Sequence, residues 1–95
     1  MQTWTVELTA DGYLRLPAEL AQTHFVHDTL VAVVREGELW LLPTRGPGGG
    51  GLLLKQRNRR GDRSVVIWEV LPADTAPGVR SAAWDATHGA LRCRL

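Results

Sequence analysis

Few side chains in this sequence stand at spacings that do chemistry. His24, His27 and Asp28 form an H-x-x-H-D cluster. Two histidines three apart could share a metal ion if both lay on one helix. Here they fall at a helix end, and no cysteine or second histidine pair follows at zinc-finger distance. His88 and Cys93 are the other soft ligands. A solvated loop is the simpler reading, so neither a metal nor another cofactor is expected. Cys93 could be a nucleophile, but it falls in the inward phase of an alternating run, which points to a buried, inert thiol. No G-x-S-x-G elbow, Walker loop or paired-carboxylate motif is present, and no catalytic residue is assigned. Gly48–Gly51 precedes neither Lys-Ser/Thr nor a helix, so it is no phosphate cradle. Arg60-Gly61-Asp62 spells an adhesion tripeptide by chance.

The richest stretch is Lys55–Arg63, KQRNRRGDR. Lys55, Arg57, Asn58, Arg59, Arg60 and Arg63 crowd what reads as a hairpin loop. One reading is a solubilising loop. The other is a contact site, because guanidinium groups make bidentate bonds to carboxylate or phosphate. These six residues are the candidate partner-binding set. Trp4, Trp40, Trp68 and Trp84 all fall in expected strands. Core packing explains most of them, and an exposed one would mark a protein interface.

The elements that hold these residues follow from hydrophobic period and turn chemistry. Thr3–Thr9 alternates, with Trp4, Val6 and Leu8 on one face. Ala10-Asp11-Gly12 is a turn and Tyr13–Leu16 returns. Pro17 stops that strand and opens a helix over Ala18–His24. Thr29–Arg35, a Glu36-Gly37 turn and Glu38–Leu42 form the clearest hairpin signal. Leu39 and Leu41 face opposite to Trp40. Thr44–Gly51, TRGPGGGG, reads as a flexible connector. Leu52–Lys55 is a short strand and Ser64–Leu71 another, with Val65 and Ile67 inward and Val66 and Trp68 outward. Pro72–Gly78 is a loop. Val79–Trp84 and Ala90–Leu95 close the chain as a hairpin, with Leu91, Cys93 and Leu95 inward. The expected fold is one mainly β domain over residues 1–95, a small barrel or sandwich of about six or seven strands with one short helix.

The 95 residues carry 11 cations and 10 carboxylates, but unevenly. Residues 1–43 hold two arginines against six carboxylates, and residues 44–63 hold six cations against Asp62 alone. No apolar run is long enough to span a membrane. The N-terminus has no basic region followed by an apolar core, and the single cysteine excludes an internal disulfide framework. These features point to the cytoplasm and to no membrane partner.

The first half resembles the AbrB/SpoVT-type swapped-hairpin domains. The residues that carry the resemblance are Gly12-Tyr13-Leu14-Arg15-Leu16-Pro17, Asp28-Thr29-Leu30, and the hairpin Val34-Arg35-Glu36-Gly37-Glu38-Leu39-Trp40-Leu41-Leu42-Pro43. The resemblance implies a dimer whose chains interleave their hairpins into one barrel, and DNA binding as the usual role. Two positions depart from the pattern: Tyr13 stands where a basic residue usually follows the glycine, and His27 where a glycine precedes the aspartate. An acidic first half would also repel phosphate. The expectation is therefore a non-catalytic accessory or adaptor protein, a homodimer, that binds another protein through the arginine-rich loop and a β edge. The alternative is a dimeric DNA-binding regulator.

Overall fold

Alternating apolar residues fold into strands that wrap around one core. The computed structural model describes residues 2–45 and 51–95. Strands β1 (Thr3–Leu8) and β2 (Tyr13–Leu16) are followed by α1 (Ala18–His24), then β3 (Thr29–Arg35) and β4 (Glu38–Pro43). After the Gly-rich stretch come β5 (Leu52–Leu53), β6 (Lys55–Gln56), β7 (Arg63–Val66), β8 (Gly78–Asp85) and β9 (Ala90–Arg94). Gly48, Gly49 and Gly50 of the expected connector lie outside the described residues.

All nine strands belong to one antiparallel sheet, in the order β5-β3-β4-β9-β8-β1-β2-β7-β6. The sheet is nearly closed into a barrel. Its two outermost strands, β5 and β6, are neighbours in the chain, separated by Leu54 alone. β5 pairs with β3, β6 pairs with β7, and the Leu54 N–H donates to the Asp28 carbonyl at 2.8 Å. Leu54 itself is buried. The segment 52–56 therefore bridges the two sides of the sheet. The count exceeds the expected six or seven, and the expected strand Leu52–Lys55 contributes two of the nine because it splits at Leu54 into β5 and β6.

Each strand of the first half pairs with one from the second: β1 with β8, β2 with β7, β3 with β5 and β4 with β9. The two halves of the chain thus share one sheet.

Inside the barrel, Val6, Leu8, Leu14, Leu16, Leu39, Leu41, Val65, Leu91 and Cys93 are all buried, as the period-two pattern requires. α1 seats Leu20, Ala21 and the following Phe25 against this core. Pro17 sits one position earlier than expected, as the residue before the helix, with φ −65° and ψ 153°. The β3–β4 hairpin turns on Glu36 (φ 52°) and Gly37 (φ 78°), the pair of positive φ values that a two-residue type I′ turn needs.

One expected strand is too long. Ser64–Leu71 is strand only to Val66, and the chain then turns. Backbone N–H groups of Ile67 and Trp68 both donate to the Gly12 carbonyl, at 2.9 and 3.1 Å, which diverts the chain from the sheet. Val65 and Ile67 do face inward, while Val66 and Trp68 face out. Trp68 is thus on a turn, not in a strand.

Candidate functional site

The arginine-rich segment is a hairpin loop closed by its own side chains. β6 and β7 set the register through Lys55↔Ser64 and Gln56↔Arg63. The Arg57 N–H donates to the Asp62 carbonyl at 2.8 Å and closes the loop. Asn58 and Asp62, four apart, bond reciprocally: Asn58 Nδ2 donates to Asp62 Oδ2 at 2.9 Å, and the Asp62 N–H donates to Asn58 Oδ1 at 3.2 Å. Gly61 between them adopts φ +94°, a conformation that suits glycine. Asp62 Oδ1 also accepts the Ala18 N–H at 2.9 Å. α1 has no cap from its own preceding side chain, since that residue is Pro17. A residue from a distant loop satisfies the open donor. The bond from Asn58, followed by that from Ala18, holds the Asp62 carboxyl below the usual aspartate range.

Arg63 faces the other way. Its Nε donates to Asp28 Oδ1 at 2.9 Å, and its Nη1 donates to the Gly61 carbonyl at 2.6 Å. Asp28 has φ 57°, in the left-handed region, just where the chain leaves α1 for β3. Arg63 thus ties the loop to that turn.

The six expected contact residues therefore divide in two. Asn58 and Arg63 are bonded within the fold and brace it. Lys55, Arg57, Arg59 and Arg60 point outward and are exposed. Of these four, Arg60 has a fixed carboxylate neighbour, Asp62 Oδ2 at 3.2 Å, and its side chain is still 81% exposed. Arg15, on β2, joins them. It borders one cleft of about 240 Å³ with Arg57, Tyr13 and Ser64, and a second of about 380 Å³ with Arg57, Arg60 and Glu7. Its nearest carboxylate is Glu7 at 3.6 Å, a half-exposed and loose pair.

Arg15 and Asp62 were not among the expected site residues. For Asp62 a signal existed: Asn and Asp four apart around a glycine is turn chemistry. For Arg15 none existed, because its approach to Arg57 depends on β2 pairing with β7.

The other chemical candidates are accounted for by packing. His24 stacks on Trp84 at 3.9 Å, with its Nε2 3.1 Å from Gln2 Oε1, and burial lowers its pKa below the usual 6.5. His27 is exposed. Among the described residues, no three His, Cys, Asp or Glu side chains converge on a metal position. Cys93 is buried, which pushes its thiol pKa up to about 11. Trp40 lies between two guanidiniums, Arg35 at 5.1 Å and Arg92 at 4.5 Å from its ring. Arg92 in turn bonds Glu38 at 2.6 Å and Asp85 at 3.0 Å. Trp4 sits edge-on to His24. Trp68 alone of the four tryptophans is largely exposed, at 59%.

No helix among the described residues is long and apolar enough to cross a membrane. No protein-family model, curated protein or solved structure matches the chain.

Proposed function

We propose that this chain is a non-catalytic adaptor module that docks on an acidic face of another protein through Lys55, Arg57, Arg59 and Arg60, with Arg15 beside them. One observation carries the reading. The loop is braced by the hydrogen bonds of Asn58, Asp62 and Arg63, while Lys55, Arg57, Arg59 and Arg60 stay exposed, Arg60 beside Asp62. A rigid arginine set loses less freedom on binding than a floppy one, and desolvated arginines are frequent hot spots. The clefts beside it carry mixed charge: Asp11 and Glu7 border them along with Arg15 and Arg57. Mixed charge suits a protein surface better than a uniformly negative strand.

The homodimer belongs to this reading as a proposal. The homodimer was expected partly because strand edges need covering. Segment 52–56 covers those edges only at Thr29 and Leu30 of β3 and at Arg63 and Ser64 of β7, which leaves Val31–Arg35 of β3 without a strand on that side among the described residues and available to a second copy. Cytoplasmic residence belongs to the same reading, supported by a single buried cysteine.

DNA binding is the second reading. It is favoured by the arrangement of Arg15, Arg57, Tyr13 and Ser64 around one cleft, donors that a phosphate could use. A gel shift with random duplex DNA at low salt, run beside capture from nuclease-treated lysate, separates the two. The first reading expects capture to survive nuclease and no shift. A salt-sensitive shift with loss of capture would replace it by the second.

A further inference from the structure

Three clefts lie in series along the outer face of β1 and β2, bordered by the arginine loop. The first, of about 240 Å³, has Tyr13, Arg15, Arg57 and Ser64 on its walls. The second, of about 380 Å³, shares Arg15 and Arg57 with the first and adds Thr5, Glu7, Pro17 and Arg60. The third, of about 420 Å³, shares Pro17 and Arg60 with the second and ends against Trp4, Ala18 and Gln22. The register accounts for this run. Arg15 stands between Glu7 of β1 and Ser64 of β7, and β2 continues through Leu16 into the extended Pro17. The walls shared by neighbouring clefts include Arg57 and Arg60, exposed side chains long enough to turn aside for a guest. The clefts therefore serve as one groove.

Charge changes sign along it. Asp11 borders the first cleft and Glu19 the third. The middle holds Arg15, Arg57 and Arg60 against Glu7 and Asp62. Asp62 is already bonded to Asn58 and to the Ala18 N–H, and Glu7 stands 3.6 Å from Arg15. The surplus of donors is thus in the middle, and the apolar walls Trp4, Pro17 and Ala18 are at the α1 end. A nucleic-acid strand repeats its charge at every nucleotide and would meet Asp11 and Glu19 as well as the arginines. A peptide with one carboxylate can meet arginine alone. Arg15 and Pro17 are two residues apart on extended chain, roughly 7 Å, which an extended guest also covers in two residues.

We propose that this groove seats an extended segment of the partner. An aspartate or glutamate carboxylate is held by Arg15 and Arg57, and an apolar side chain two residues away packs against Trp4, Pro17 and Ala18. The inference rests on the docking reading above and gives the partner's acidic face its form, a short linear segment.

Selection from a displayed random-peptide library, with the purified chain as bait, tests this. The enriched peptides are expected to carry Asp or Glu two positions from an apolar residue. Arg15→Gln and Arg57→Gln should each weaken a synthesised winner by about tenfold, as should serine in place of its apolar residue. Arg59→Gln, at a position that borders none of these clefts, should cost less than either. A photoreactive benzophenone at the apolar position of the peptide should label Trp4, Pro17 or Ala18. Circular dichroism checks the fold of the variants, and the labelling uses the parent chain. Capture from nuclease-treated lysate, compared between the parent and Arg57→Ala with Arg59→Ala and Arg60→Ala, separates this proposal from the reading beneath it. Arginine-dependent capture without peptide enrichment would overturn the groove and leave the docking reading standing, and failure of both would overturn both. Enrichment of basic peptides, labels placed elsewhere, or binding indifferent to Arg15 and Arg57 would overturn the proposal as well.

Discussion

Asp62 Oδ1 accepts the backbone N–H of Ala18 at 2.9 Å, a bond that joins residues 44 apart in the chain. A loop between two short strands thereby caps the one helix. Through Asp62 and Arg63 the loop touches both ends of the helical segment: its first N–H, and Asp28 just beyond its last turn. The loop is a brace as well as a display.

Asp62→Ala should therefore destabilise the fold, although Asp62 lies in a surface loop. It removes the helix cap and the partner of Asn58 together. Thermal unfolding should show Tm lower by several degrees, and Asp62→Asn should lose less. An unchanged Tm would mean that the cap contributes nothing.

Acid should weaken the fold in two steps. Burial lowers the His24 pKa from 6.5, so its contribution is present above that pH and is lost as pH falls. Asp85 is held at about 2, chiefly by hydrogen bonds from His88, and Asp62 is lowered as well. Their contributions are full above the ordinary aspartate value of 3.8 and fade as pH falls toward 2. Denaturant midpoints measured from acid to neutral should rise with pH and level off near neutrality. A maximum on the acid side would contradict these assignments.

Leu54 should matter more than its position between two-residue strands suggests. Leu54→Ala empties a buried site where the sheet closes, and should cost about 2–5 kcal/mol. Equilibrium unfolding in urea measures it. A cost of a few tenths would show that closure does not depend on this side chain.

Gly51 approaches β3 closely: a Cβ there would stand 2.5 Å from the Leu30 carbonyl oxygen. Gly51→Ala should cost about 1–3 kcal/mol through forced movement of β5 against β3. Unchanged stability in urea unfolding would remove the close approach.

Local chemistry was legible in the sequence and long-range bonding was not. Ala18–His24 and Thr29–Arg35 have the bounds that Pro17 and the valine-rich pattern dictate. The inward phase of Leu91 and Cys93 follows from period two. These signals span a few residues. The roles of Asp62, Arg63 and Leu54 depend on partners more than twenty residues away, and no short window contains both halves of such a bond. Trp68 shows the limit plainly. Its outward facing was readable from alternation, but the turn that carries it is made by the Gly12 carbonyl. The candidate site was found as a charge cluster, while its division into bracing and free residues came only with the fold.

The measurement that bears most directly on the account is a paired one on Arg57→Ala with Arg59→Ala and Arg60→Ala. Tm and capture of partners from nuclease-treated lysate are compared with those of the parent chain. These side chains are exposed, and exposed ion pairs contribute little to folding. The account predicts an almost unchanged Tm and capture reduced by about tenfold or more, since exposed arginines that become desolvated on docking act as hot spots. A variant that folds as before and captures every partner equally well, or one that unfolds, would contradict it.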